Sequence, residues 1–204
     1  MSGKNNLNSA CILNNNNKNY IIPNHSFLER IKIYDFNGIQ KKEIKDSGER
    51  TYIIESYKNY ILTGNENFVK SYDFNEAKIY QKYFGNDKFN IHLGITIYDT
   101  DKKVYLFESN TGGFVRIWNF NTGKLLKKIE MSNTPIYGIC LWNNEHLFAG
   151  GYGSEVILLN IKSCKVTKIW YTKTYSKVYK IKIISHAKLG KYLISNDDNL
   201  ILWK

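Results

Sequence analysis

The sequence predicts an all-β protein of about five four-stranded antiparallel sheets, repeated along the chain and stacked like blades. Three observations predict it. A large apolar anchor recurs at intervals of 38, 46, 41 and 44 residues. A second apolar register recurs about 11 to 14 residues upstream of each anchor. Short runs rich in Ile, Val, Tyr and Phe fill the rest of each interval, and no helical period is sustained between them.

The anchor runs are "RIKIYDFNG" (30–38), "FVKSYDFNE" (68–76), "FVRIWNFNTG" (114–123), "EVILLNIKS" (155–163) and "NLILWK" (199–204). Their anchors are Tyr34, Tyr72, Trp118, Leu159 and Trp203, each with a large apolar residue three positions earlier. In the first four copies Asp or Asn follows the anchor, and Phe or Ile follows that. The upstream register reads "NYIIP" (19–23), "NYILTG" (59–64), "VYLFES" (104–109), "EHLFAGG" (145–151) and "KYLISND" (191–197). Before it come "SACIL", "TYIIES", "IHLGITIY", "PIYGICLW" and "VYKIKIIS"; after the internal anchors come "QKKEIK", "KIYQKYF", "KLLKKIE" and "KVTKIWYT". Turns are marked by Gly, Asn, Asp and Ser, and the Asn-Thr-Gly turn suits a positive φ at Gly123. Apolar neighbours within the runs fit sheets covered on both faces.

Four short strands per unit of about 40–45 residues is the pattern of propeller blades. The chain resembles the WD-repeat family of β-propellers. Trp118-Asn119 is similar to that family's Trp-Asp dipeptide, and Tyr34-Asp35 and Tyr72-Asp73 look like the same dipeptide with tyrosine in place of tryptophan. The family's Gly-His pair is missing, and its turn aspartate is matched by Asp197 and partly by Glu66. The resemblance therefore implies a degenerate hydrogen-bonded tetrad and blades held more by apolar packing. On this reading 1–204 is a single WD-repeat-like domain with blades near 8–36, 40–74, 78–120, 124–161 and 165–204. Each anchor strand is then the outer strand of its blade, and the strand after it opens the next. The first blade accordingly lacks its inner strand, which leaves an open or incomplete ring. A longer propeller, a partner chain that completes the ring through unpaired blade edges, or a small five-bladed closure would each account for it.

The formal net charge is +11, almost all of it from lysine, since Arg30, Arg50 and Arg116 are the chain's arginines. Bidentate phosphate recognition favours arginine. A solvated lysine surface in an Asn-, Ile- and Tyr-rich chain explains the charge without a partner; an anionic partner is the alternative reading. Cys11, Cys140 and Cys164 fit neither a disulfide framework nor a zinc spacing. No apolar run is long enough to cross a bilayer, and no signal peptide is evident, so an intracellular, cytoplasmic setting is expected.

Catalytic and cofactor motifs are absent. "GGYGSE" (150–155) has glycines in the wrong order for a nucleophile elbow and lacks the strand-to-helix context of a dinucleotide loop. His25, His92, His146 and His186 lack metal-ligand spacing, and His146 stands where other copies carry Tyr60, Tyr105 and Tyr192. No cofactor, metal or catalytic residue is expected. The resemblance implies a non-enzymatic scaffold that binds a protein or peptide partner through loops on one face. Its candidate segments are 75–77, 121–124, 162–164, 100–103, 143–145 and 186–190, with Asn121, Lys124, Lys102 and Lys188 as candidate contacts. The runner-up is electrostatic binding of nucleic acid or anionic phospholipid along lysine-rich edges such as Lys124, Lys127 and Lys128. An enzyme on the same scaffold would need a cluster of perturbed carboxylates or histidines, and none is visible.

Overall fold

The structure, a computed structural model, describes residues 7–25, 30–45, 50–85, 90–172, 177–188, 190–196 and 200–203. Asp197 lies outside the described residues. Within them the chain is all strand and turn, with no helix.

Every sheet is a meander of consecutive strands. The first holds β1 (Leu7–Asn15), β2 (Lys18–His25), β3 (Arg30–Tyr34) and β4 (Gln40–Lys45). The second holds β5 (Ile53–Tyr57), β6 (Tyr60–Gly64), β7 (Phe68–Asp73) and β8 (Lys78–Phe84). The third holds β9 (His92–Asp99), β10 (Val104–Asn110), β11 (Phe114–Asn119) and β12 (Leu125–Glu130). The fourth holds β13 (Ile136–Leu141), β14 (His146–Gly151), β15 (Glu155–Asn160) and β16 (Lys165–Tyr171). The fifth has β17 (Lys180–His186), β18 (Gly190–Asn196) and β19 (Leu200–Trp203).

The repeat is thus present, but its phase differs from the expected one. The strand after each internal anchor hydrogen-bonds back onto the anchor strand, so Trp118 faces Leu106 on one side and Leu125 on the other. Anchors occupy third strands, not outer ones. The first sheet is consequently complete, and the three-stranded sheet is the last. A tight turn decides this: Asn119 to Lys124 is short enough to reverse the chain onto its neighbour, as a hairpin requires. Gly123 takes φ +68 in that turn, as its sequence suggests.

A bulge recurs at the anchor. The register slips between Ile33 and Tyr34, Ser71 and Tyr72, Ile117 and Trp118, and Leu158 and Leu159. Each slip leaves one fourth-strand residue without a direct partner: Lys41, Tyr80, Leu126 and Thr167. Such bulges bend a strand and re-aim a side chain.

The chain divides into two compact units. The first comprises Met1–His92 with the turn Phe120–Lys124; the second comprises Leu93–Asn119 and Leu125–Lys204. In the first unit β1 abuts β5, and Leu13, Ile22, Ile31, Ile33, Ile54, Ile61 and Tyr72 form the core. In the second, β13 abuts β17 so closely that a Cβ on Gly138 would meet the backbone of Tyr179–Ile181 at 3.1–3.2 Å. Its main core joins Phe107, Val115 and Ile117 to Ile136, Ile139, Leu147, Ile157 and Leu159. Burying each such side chain contributes about 1.5–3 kcal/mol.

The anchors differ in burial. Tyr72, Trp118 and Leu159 are buried, whereas Tyr34 and Trp203 are half-buried. Among the described residues β19 has a sheet neighbour on one side only, which leaves Trp203 less covered. The Trp203 indole Nε1 donates to Ser195 Oγ at 2.8 Å, which satisfies its polar edge.

Candidate functional site

The residue after the anchor shapes the turn between third and fourth strands. Asp35 Oδ1 accepts from the Asn37 and Ile39 amides, and Asp73 Oδ1 from those of Asn75 and Glu76. Asn160 Oδ1 accepts from the Ser163 amide and hydroxyl. Carboxylate or amide oxygen at this place caps a turn whose amides would otherwise be unpaired, which explains the recurring Asp or Asn.

In an antiparallel meander the first-to-second and third-to-fourth loops fall at the same end of the sheet. The six candidate segments fall in connections of these two kinds, rather than outer-to-inner connections between blades; Leu189 of segment 186–190 lies outside the described residues. Within each unit, loops of neighbouring sheets are tied together. In the first unit Lys42 Nζ donates to the carbonyls of Phe74 and Asn75, and Asn15 Nδ2 donates to Asn75 Oδ1 at 3.0 Å. In the second, the Tyr98 hydroxyl donates to the Asn144 carbonyl at 3.3 Å. Within the fourth sheet, the β15–β16 and β13–β14 loops are joined as well: the Lys162 ammonium donates to Glu145 Oε1 at 2.5 Å, and the Ile161 amide to the Glu145 carbonyl at 2.7 Å.

At that end of the second unit lies a cavity of about 310 Å³ between the third and fourth sheets. Tyr98, Tyr105 and Phe107 form one wall, the first two stacked at 6.0 Å between centroids. Ile117, Leu126 and Lys127 form a second, where Leu126 is the bulge residue opposite the Ile117–Trp118 step. Ile161 and Cys164, from the turn after β15, close the third. Lys127 is the one charged lining residue, and its ammonium donates to Cys164 Sγ at 3.0 Å.

A smaller cavity of about 160 Å³ lies between the fourth and fifth sheets, lined by Trp142, Phe148, Trp170 and Trp203 over Val156 and Leu193. The ammonium of Lys168 already sits 4.8 Å from the Trp170 ring centre, and that of Lys191 6.0 Å from Trp142. The chain's own cations occupy these rings.

The individual candidate contacts are spread over loops of different sheets. Asn121 and Lys124 sit on the β11–β12 turn, Lys102 on the β9–β10 loop and Lys188 on the β17–β18 loop; all four are exposed. Asn121 has a structural task, since its side chain accepts from the Tyr80 hydroxyl at 3.4 Å and its carbonyl from Gln81 Nε2 at 3.3 Å. The Lys128 ammonium lies 3.9 Å from the Phe114 ring centre.

Sequence reasoning passed over a buried ion pair. Arg116 NH1 and Glu108 Oε1 form an ion pair at 2.8 Å, with side chains 1% and 0% exposed. The signal was available: Arg116 stands two residues before a buried anchor, hence on the same face of its strand. Glu108 lies directly across from it in the upstream register. The pair is internal to one sheet and braces it. Among the described residues no group of three or more His, Cys, Asp or Glu could hold a metal, and no helix is long and apolar enough to cross a membrane. His146 Nδ1 lies 3.2 Å from Asn143 Oδ1, within its own turn.

Two checks arise here. Cys164 lines the cavity, whereas Cys11 and Cys140 are buried, and burial pushes the Cys140 thiol up to about 12. Iodoacetamide at neutral pH is expected to label Cys164 first, read by peptide mass spectrometry; equal labelling of Cys140 would contradict its burial. The second check is acid stability. The Ile39 amide beside Asp35, Arg30 beside Glu43 and Lys162 beside Glu145 hold these carboxyls below the usual range. Groups depressed in the folded state stabilise it above their unfolded values, and that contribution is lost as pH falls through the folded values. Urea midpoints should therefore decline as pH drops below the carboxylate range; a flat profile would contradict these contacts.

Comparison with protein-family models finds none that matches, and no curated protein matches. Among solved structures, the crystal structure of the WD40 β-propeller domain of Doa1 superposes with a TM-score of 0.76 at 14% sequence identity. The likeness covers 99% of this chain and 64% of that one, so the chain spans somewhat less than two thirds of the Doa1 domain. Five sheets of consecutive antiparallel strands and this superposition together show that the chain has the WD40 β-propeller fold.

Proposed function

We propose that the chain is a non-enzymatic interaction scaffold that docks a protein or peptide partner at the loop end bearing the first-to-second and third-to-fourth turns. The observation that carries this reading is the cross-bracing of those loops around an apolar cavity. Tyr98 to Asn144 and Lys162 to Glu145 fix the loops before a partner arrives. Preordered loops reduce the entropy lost on association. An apolar pocket of at least about 300 Å³ with one or two polar groups is the usual form of a recognition site.

The electrostatic alternative finds less support. Of the three lysines it nominates, Lys128 is directed to the Phe114 ring and Lys127 lines the apolar cavity rather than an open basic edge. The test is photo-crosslinking in extract of the source cell, with p-benzoylphenylalanine placed at Asn144 or at Tyr152. Tyr152 is exposed on the β14–β15 turn, at the other end of the fourth sheet. Crosslinks to a protein from position 144 and not from 152 are expected. Crosslinks from 152 alone, or equally from both, would contradict the assignment.

A further inference from the structure

The cavity between the third and fourth sheets exists at a place where other repeats carry a phenylalanine. Two residues after the anchor stand Phe74, Phe120 and Ile161. In the first unit both rings are buried. Phe74 packs on Tyr20 at 5.0 Å with the Lys42 ammonium 4.7 Å from its centre. Phe120 packs against Tyr60 at 5.2 Å and Tyr57 at 5.4 Å. In the second unit the receiving wall is built in the same way. The Tyr98–Tyr105 stack (6.0 Å, 22°) repeats the Tyr57–Tyr60 stack (6.5 Å, 14°), and Leu126 stands at the bulge position of Tyr80. The residue delivered to that wall is the shorter, β-branched, half-buried Ile161, and beside it lies the cavity.

The lysine of the wall recurs in the first, third and fourth sheets as Lys42, Lys127 and Lys168, whereas the second sheet has Gln81 there. Lys42 and Lys127 each face the residue before an anchor, Ile33 and Ile117. Lys42 donates to the backbone carbonyls beside its phenylalanine, whereas Lys127 reaches the Cys164 thiol. An ammonium carries three donors, so Lys127 retains capacity for an incoming oxygen. The rings that fill the equivalent places sit in Asp73-Phe74-Asn75 and Asn119-Phe120-Asn121.

We propose, building on the docking face assigned above, that this cavity receives a phenylalanine side chain from an acidic segment of a partner protein. The ring occupies the place that Phe74 and Phe120 fill from within the chain. A carboxylate or carbonyl next to it is held by Lys127. A buried aromatic anchor supplies most of the affinity, and the charge on a chain of net +11 selects acidic over basic segments.

The test uses fluorescence anisotropy with the synthetic peptide EDDFNED, its Phe→Ala form and a form with lysines replacing the acids. The EDDFNED peptide is expected to bind saturably, with the other two weaker by about tenfold or more. Its binding should also slow iodoacetamide labelling of Cys164. Ile161→Phe, which supplies the missing ring from within, should weaken binding by a similar factor while keeping its circular dichroism and thermal midpoint. If that variant fails to fold, Leu126→Asp at the exposed bulge replaces it, with the same expected loss.

Absence of saturable binding, equal binding of the Phe→Ala peptide, or full binding by the cavity-filled variant would overturn the proposal. So would retention of the chain on phosphatidylserine vesicles or single-stranded DNA together with no peptide binding. A dimer in light scattering that Phe36→Ala dissolves would assign the cavity to the exposed Phe36 of a second copy and overturn it too. Crosslinks from position 144 in the absence of peptide binding would leave the docking face standing and remove only the ring-and-acid assignment.

Discussion

Trp118→Ala is expected to lower the thermal midpoint by on the order of 10 °C, through a loss of about 3–5 kcal/mol. Trp118 is the largest of the fully buried side chains and is 1% exposed. It lies in a third strand, hydrogen-bonded on both sides, between Leu106 and Leu125 in register. Removal of its indole leaves a cavity that neither flanking strand can close without breaking its ladder. The repeat supplies the control. Tyr34 and Tyr72 occupy the same position in other sheets, so Trp118→Tyr keeps an aromatic of a size the fold already uses and should lose far less. Equal midpoints for wild type and Trp118→Ala would remove the anchor role.

Glu108→Ala is expected to cost about 3–5 kcal/mol, because it strands the Arg116 guanidinium, 1% exposed, without its carboxylate. The sign for the pair is different. Desolvating two charges nearly offsets their attraction, so replacing both by apolar groups is often neutral or stabilising. The fourth sheet shows the substitution that the repeat accepts. Ala149 and Ile157 face each other there, as Glu108 and Arg116 do in the third. Glu108→Ala combined with Arg116→Ile should therefore recover most of the stability lost in the single variant. Denaturant midpoints of the two single variants and the double variant measure this coupling. A double variant as unstable as the sum of the singles would show that the charges act independently of one another.

Much of the fold was legible because the anchor recurs with its neighbours. A large apolar residue three positions ahead and an Asp or Asn behind mark the third strand of each sheet, and Asp35, Asp73 and Asn160 show why through their turn hydrogen bonds. The phase was not legible. Runs such as "KLLKKIE" pair equally well by composition with the strand before or the strand after, and backbone hydrogen bonds leave no trace in side-chain type. The short turn between β11 and β12 decides it in space, by bringing Leu125 back beside Trp118. The candidate segments fall in turns, as their Gly, Asn and Asp residues suggest, but which strands those turns join was not legible. Asn121 ties its turn to Tyr80 and Gln81 of β8, and the cavity lies beside Ile161, which stands where Phe74 and Phe120 stand elsewhere. That substitution was visible in the aligned copies. Its consequence required knowing which wall the residue faces.

Amide-to-amide NOEs in isotope-labelled protein test the central claim most directly, since they report which strands are neighbours. The account predicts contacts from the strand 114–119 to both 104–110 and 125–130, and corresponding contacts around Tyr72 and Leu159. Contacts joining 125–130 to 136–141, with none to 114–119, would contradict it.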